Sequence, residues 1–523
     1  MPDTLTFTES TTELNGTEPG SKDSATLRAL KSRMAQLARI EQAAGLLGWD
    51  QQTYMPTGAA NGRAEQMATL SQLLHQMLTG DETAQLLQTA ETETKGQDAD
   101  SDDVRLLARL RRSYERATKL PEALVMELSR HASLSQDVWV RARQMSDFDL
   151  FAPNLEKMIA LTRQATEYLG YSEHPYDALI DQYEPGTKQS DVAAMFADMK
   201  PGLIALTQTI AQSSNPVDDS LLHGDFPVEA QREFTLRIVK AIGYDLTRGR
   251  QDEAAHPFCS NFGRDDVRIT TRYDKNFLSM AVYASMHEAG HAMYEQGSPI
   301  AYEASPLAGG TSLGVHESQS RLWENQVGRS RAFTAYLFPQ LQQAFPAAFA
   351  AVDASQYYRA INKVTPSLIR VEADEVTYNL HTLLRFELEC ALLEGTLDVG
   401  DVPDAWDAKM QEYLGITPPT DAQGCLQDVH WSAGLIGYFP TYSIGNLLSA
   451  QLWHSIAQAI PDLNEQIAQG QFTPLLDWLR ANVHHYGSKY LPKELVVKAT
   501  GEPLTSRYYV EYLHTKYRDI YKL

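Results

Sequence analysis

Phe277-Leu-Ser-Met-Ala-Val-Tyr-Ala-Ser-Met-His287-Glu288-Ala-Gly-His291-Ala-Met-Tyr-Glu-Gln296 has helical periodicity throughout. Gly297 follows as a natural helix stop, with Pro299 just beyond. Inside this helix lies an H-E-x-x-H pattern. Four residues advance a helix by about 6 Å and return almost to the same face. His287 and His291 can therefore each place one ring nitrogen on a single cation, at roughly 2.0–2.1 Å if it is zinc. Glu288 is rotated about a quarter turn away, too poorly placed to be a third ligand on the same ion. It is well placed to touch a water on that ion. Two histidines four apart can also merely line a helix face; the helical setting favours the metal.

A catalytic zinc wants a third protein ligand and one open position. The metzincin solution needs a glycine three residues past His291 and a histidine three further on. Tyr294 and Gly297 stand there, so that class is excluded. A carboxylate from a following segment remains, and Glu295, Glu303, Glu317 and Glu324 are the candidates. Glu295 continues the histidine face by one turn and suits orienting a ligand better than binding metal. Glu303 lies in a Gly/Pro-rich loop. Glu317 and Glu324 are seven apart on one helix face, and spacing alone does not choose between them.

Outward from this helix, apolar spacing of three and four dominates: Leu27 to Leu37, Met67 to Leu78, Ala193 to Ile210, Ser318 to Phe333, Ile369 to Leu393 and Leu475 to Val483. Strand-like alternation is rare; Asp266-Val-Arg-Ile-Thr-Thr-Arg-Tyr273, with Val267, Ile269 and Thr271 on one side, is the best case. The acidic run Glu91 to Asp103 reads as a solvated loop between helices. Residues 1–22 read as a loose, disordered tail. Residues 23–523 show no linker and read as one catalytic domain, all-α (mostly helical) with one small β-sheet.

The 523 residues carry 45 Lys+Arg against 67 Asp+Glu, a formal net charge of −22. Such a surface repels phosphate, which argues against nucleic acid and anionic membranes as partners. Hydrophobic residues are 43% and charged residues 21%, which excludes wholesale disorder. The 3 cysteines, Cys259, Cys390 and Cys425, form no C-x-x-C pair, so a thiolate zinc cluster or disulfide framework is not expected. Trp431 to Trp453 has no charged residue and is long enough to span a bilayer. Pro440, three glycines, Asn446 and Gln451 within it point instead to buried interior lining a cavity. The opening residues lack the basic start and apolar core of a secretory signal, so a soluble cytoplasmic protein is expected.

These residues resemble the thermostable (Taq-type) metallocarboxypeptidases. The marks are His287-Glu-Ala-Gly-His291 and Val315-His-Glu-Ser-Gln-Ser-Arg-Leu-Trp-Glu-Asn325, which is similar to that family's second zinc segment. Further marks are His256-Pro-Phe258, Asp266-Val-Arg-Ile-Thr270, Ile369-Arg-Val-Glu-Ala-Asp374 and Gly424-Cys-Leu-Gln-Asp-Val-His-Trp431. Leu47-Gly-Trp-Asp-Gln-Gln-Thr-Tyr-Met-Pro56 and Ala499-Thr-Gly-Glu-Pro-Leu504 belong to the same set, so the likeness runs from about Leu27 to Leu523. The resemblance implies that Glu317 is the third ligand, 317 − 291 = 26 residues beyond His291. It also implies a neurolysin-like fold with a long, deep groove, a homodimer, and removal of C-terminal residues from peptides with broad side-chain tolerance. One zinc per subunit is expected, with cobalt as the alternative.

Peptide hydrolysis needs a nucleophile, a stabilised oxyanion and a proton for the leaving amine. Glu288 is the expected base and then acid. His430, Tyr438 and Tyr442 are the expected oxyanion donors, each of which could equally be a core residue. A carboxypeptidase must also hold a free carboxylate, which an arginine fork matches. Arg370 is the resemblance's choice, although it could pair with Glu372 or Asp374 instead. Arg268, which could simply brace the strand, and His256, which could simply shape the groove's end, are weaker choices. The rival readings are a zinc endopeptidase or oligopeptidase using the same site, and a non-catalytic helical scaffold. An aminopeptidase is disfavoured, because no G-x-M-E-N segment is present.

Overall fold

The motif helix, Leu278–Gln296, is surrounded by protein on nearly every side, as its mostly apolar circumference requires. It follows extended backbone at Phe277 and stops at Gly297, whose N–H closes onto Met293 and Tyr294. The computed structural model describes residues 23–523; the expected tail, residues 1–22, lies outside the described residues.

Against the motif helix lies a three-stranded sheet: β1 (Gln251–Glu253), β2 (Cys259–Asn261) and β3 (Val267–Thr271), in the order β1-β3-β2. β1 runs parallel to β3 with Gln251 opposite Ile269, and β2 runs antiparallel with Cys259 opposite the same residue. The predicted strand is thus the central one. Val267, Ile269 and Thr271 are buried, as its alternation required. The three thiols are free.

The helix Leu313–Arg321 packs against both the motif helix and Pro440–Ala459. Ser312 caps it, accepting from the Val315 N–H at 3.2 Å. The expected single helix Ser318 to Phe333 is interrupted. It winds as a π-helix over Leu322–Gly328, and Ser330 then caps a new helix, Arg331–Ala344. A π turn leaves apolar spacing almost unchanged, so periodicity cannot reveal it. The expected helix Ile369 to Leu393 is shorter too: a 3₁₀ turn at Arg370–Glu372 precedes Tyr378–Glu394. Asp374 accounts for this by accepting the backbone N–H groups of Thr365, Val376 and Thr377, bonds that compete with helix.

The acidic run is a loop between two helices, as expected, with its two ends taken up into them. Glu91 lies in the last turn of the helix Asp81–Glu93, and Asp102 and Asp103 open Asp102–Lys119, where their charge suits the helix N-terminus. Glu91 pairs with Arg111 at 2.6 Å, Asp103 with Lys31 at 2.6 Å and Asp102 with Lys489 at 2.8 Å. Between these ends, residues 95–99 form the exposed loop that the sequence suggested.

Two large apolar clusters form the core. One contains Phe151, Phe196, Leu384, Trp406 and Tyr517. The other contains Phe234, Met286, Trp323, Leu337 and Leu479. Pro440–Ala459 serves both, with Leu447 in the first and Leu448 in the second. The uncharged segment is therefore interior, as read, and no described helix is long and apolar enough to cross a membrane.

Close approach of these helices depends on two glycines. A Cβ on Gly290 would lie 2.7 Å from the Gln319 oxygen and from the Ser320 Cα. A Cβ on Gly445 would lie 2.5 Å from the Glu317 Cγ. Gly290→Ala is expected to force backbone apart and to cost about 1–3 kcal/mol. A lowered urea midpoint at unchanged slope measures it; an unchanged midpoint would refute the packing argument.

Candidate metal centre

His287, His291 and Glu317 converge from two helices, with one potential ligand atom from each within 4.8 Å of the others. The Glu317 Oε2 lies 3.4 Å from His287 Nε2 and 3.5 Å from His291 Nε2. Tetrahedral ligands about 2.1 Å from zinc stand about 3.4 Å from one another, so the donor set fits such an ion. Its surroundings fit as well. Burial disfavours charge on His287, yet Glu317 and Glu324 raise its proton affinity to about 10. A cavity that favours a proton there favours a cation.

Each imidazole is held in the tautomer a metal needs. His287 Nδ1 lies 2.9 Å from Glu324 Oε2, so with a cation in place of the Nε2 proton Nδ1–H donates to Glu324 and Nε2 is free for the ion. At His291 the same result is reached through a chain. His316 Nε2 donates to the Glu295 carboxylate. Its Nδ1 lies 3.2 Å from His291 Nδ1; when His291 carries the hydrogen of that contact, its Nε2 is free for an ion. Glu295 thus orients a ligand, as its spacing suggested, but through His316. Burial works to raise the Glu295 carboxyl, and the His316 bond holds it below the usual range.

Glu317 is kept ionised in the interior. Burial works against this, but Arg321 and His287 hold its pKa well below the ordinary value. Arg321 Nε donates to Glu317 Oε1 at 2.7 Å, and Nη1 reaches Glu324 Oε2 at 3.3 Å. Glu324 is likewise held down to about 2, burial being outweighed by Arg321 and His287. Glu303 is elsewhere, accepting from Gln42 and the Arg264 N–H. The Glu288 carboxylate has no hydrogen-bond partner among the described residues, and burial pushes it up to about 7.

Beside this centre lies a second charged cluster. Arg370 pairs with neither Glu372 nor Asp374. Its Nε and Nη2 donate to Asp428 Oδ1 at 3.2 and 2.9 Å, and its Nη1 to the Tyr378 hydroxyl at 2.7 Å. The Tyr442 ring lies 4.8 Å from its guanidinium carbon, and His430 Nε2 is 3.4 Å from the Tyr442 hydroxyl. The Tyr438 ring sits 5.4 Å from His430 and 5.3 Å from Tyr442. Burial lowers His430 to about 4, so its ring is neutral. Burial first raises both Tyr438 and Tyr442, followed by the Glu317 charge at Tyr438 and by the neighbouring Tyr378 and Tyr438 at Tyr442, so both keep their protons. Tyr378 links the two clusters, its ring also lying 4.6 Å from the Arg321 guanidinium.

The structure thus gathers Arg370, His430, Tyr438 and Tyr442. It leaves two expected residues outside their hydrogen-bond network. Arg268 gives both arms of its fork to Asp266 at 2.8 Å and lies over Trp49, which is the bracing role. His256 is exposed between β1 and β2. Several residues went unrecognised in the sequence. His316, Arg321 and Asp428 stood inside quoted motifs without a role. Tyr378 and Arg385 carried no signal at all, because buried polar residues on a core helix share its apolar spacing.

The family model described as carboxypeptidase Taq (M32) metallopeptidase matches residues 29–517. Thermostable carboxypeptidase 1 of Thermus thermophilus is 43% identical over 496 residues, covering 93% of this chain and 97% of the relative. Carboxypeptidase 1 of Bacillus subtilis is 38% identical over 490 residues, covering 94% and 97%. The crystal structure of an M32 carboxypeptidase from Deinococcus radiodurans superposes with a TM-score of 0.93 at 41% identity, covering 96% of this chain and 100% of that one.

His316→Ala removes the acceptor that fixes the His291 tautomer. Metal affinity is expected to fall about 10–100-fold. Competition with a chromogenic chelator measures this, and unchanged affinity would exclude the chain of hydrogen bonds as an orienting device.

Proposed function

Since the chain belongs to the carboxypeptidase Taq (M32) metallopeptidase family, a family of peptide-cleaving, metal-dependent carboxypeptidases, we propose that His287, His291 and Glu317 hold its divalent ion and that the ion is zinc, with cobalt as the alternative. The observation that carries this is the convergence of those three side chains at ligand spacing with a free carboxylate, Glu288, beside them. A bound zinc lowers the pKa of water and polarises a peptide carbonyl.

The chain's own residues do the rest. Glu288 takes the proton of the attacking water and passes it to the leaving nitrogen. Its lack of a competing hydrogen bond and its raised pKa suit both directions of transfer. His430, Tyr438 and Tyr442, all neutral, are the donors for the oxyanion. Arg370 receives the substrate's terminal carboxylate. Asp428 and Tyr378 take three of its five N–H donors, which leaves one on Nη1 and one on Nη2 for that purpose. Single residues leave from the C-terminus with broad side-chain tolerance. His256 shapes the end of a groove running past the metal centre, and Arg268 braces the strand beside it. Residues 23–523 act as one catalytic unit, a reading supported by Pro440–Ala459 contributing to both core clusters. A cytoplasmic homodimer completes the reading.

Three measurements test it. Timed mass spectrometry of a long peptide with metal-loaded protein is expected to give a ladder shortened from the C-terminus; internal fragments would favour an endopeptidase. Glu288→Gln is expected to retain metal while turnover falls about 10²–10⁴-fold. Glu317→Ala is expected to lose the metal itself, read by elemental analysis; full occupancy there would move the third ligand to Glu324.

A further inference from the structure

Arg385 projects from Tyr378–Glu394 into the interior and is wholly out of water, at 0% exposure. A buried guanidinium needs compensation. Arg385 finds it in Asp428: its Nε and Nη2 lie 2.7 and 2.6 Å from Oδ2, while Nη1 donates to the His381 carbonyl at 2.7 Å. The same carboxylate binds Arg370 through its other oxygen. No second carboxylate pairs with either guanidinium among the described residues.

The count is therefore two cations to one anion, and the cluster carries 2 − 1 = +1. Glu389, one helical turn beyond Arg385, offsets only part of it: burial pushes its carboxyl up to about 7, and its oxygens accept from Tyr176, Trp431 and Gly437 rather than from either guanidinium. His381 is fully buried, and both its ring nitrogens lack partners. Burial, then the two arginines, hold it neutral, as expected where the local field is positive. Burial also lowers Arg385, but only to about 10, so it remains a cation at neutral pH. A chain of net charge −22 thus keeps a positive charge indoors that no carboxylate pairs with directly. Arg385 is enclosed on all sides. Arg370 retains slight exposure, about 5% of its side chain, and two free N–H groups.

We propose that Arg385 is a positioning residue that gives Arg370 its preference for a free terminal carboxylate: it takes up the charge of Asp428, which would otherwise neutralise Arg370, and leaves the surplus cation facing the substrate. This rests on the reading that Arg370 receives that carboxylate.

The test compares one peptide as its C-terminal acid and its C-terminal amide, using metal-loaded protein whose metal content is measured for each variant. Arg385→Gln makes the cluster neutral. KM for the acid is expected to rise about tenfold or more, with kcat and amide cleavage nearly unchanged. The double variant Arg385→Gln/Asp428→Asn restores +1. Its KM is expected back within about threefold of wild type, whereas a purely structural role would make it worse than the single variant. If wild type cuts acid and amide equally, carboxylate recognition itself fails. If wild type discriminates but Arg385→Gln leaves KM unchanged, or loses kcat instead, the inference about Arg385 is overturned. A double variant no better than the single one overturns it too. Should Arg385→Gln not fold, the double variant is compared with wild type directly: a retained KM supports the inference and a lost one refutes it.

Discussion

The ion pair between Glu317 and Arg321 is the contact on which the metal centre depends. A carboxylate withdrawn from water protonates unless a cation compensates it. Arg321 supplies that cation from one helical turn further on and also reaches Glu324. The two carboxylates face the same imidazole from opposite nitrogens, Glu317 at Nε2 and Glu324 at Nδ1. One arginine therefore maintains both the third donor and the group that fixes the His287 tautomer. The π turn Leu322–Gly328 begins directly after Arg321 and contains Glu324.

Helix packing is subordinate to that charge arrangement. Gly290 lets the backbone of the second helix approach the motif helix, and Gly445 leaves room for the Glu317 stem. Larger side chains at either place would separate groups that must stand within a few ångströms. Buried charge recurs in the second cluster, where Asp428 joins Arg370 and Arg385. Tyr378 connects the two, accepting from Arg370 while its ring faces Arg321. The Glu317 cluster and the Arg370 cluster are thus joined through one side chain rather than through the backbone.

How much was legible follows from the range of each interaction. The helix carrying His287 and His291 was readable because its face repeats locally, and β3 because alternation survives in five residues. The helices proposed across Ser318 to Phe333 and Ile369 to Leu393 were overextended, because π winding and the Asp374 backbone bonds leave no trace in apolar spacing. The acidic run was legible as an exposed loop between helices, but not the pairing at its ends, because Lys31, Arg111 and Lys489 are distant in sequence.

By itself the sequence determined the mainly helical architecture, the paired histidines with Glu288 between them, and the interior character of Trp431 to Trp453. Those depend on neighbours within a turn or two, which spacing records. Only the tertiary structure decided which glutamate meets the two imidazoles, that His316 and Glu295 stand behind His291, and that Asp428 rather than Glu372 or Asp374 takes the Arg370 fork. These are contacts between segments 20 to 60 residues apart or more, such as the |i−j| of 25 from His291 to His316 and of 58 from Arg370 to Asp428. Their energy comes from desolvated charge meeting charge, and no local pattern records where the chain will bring such groups together.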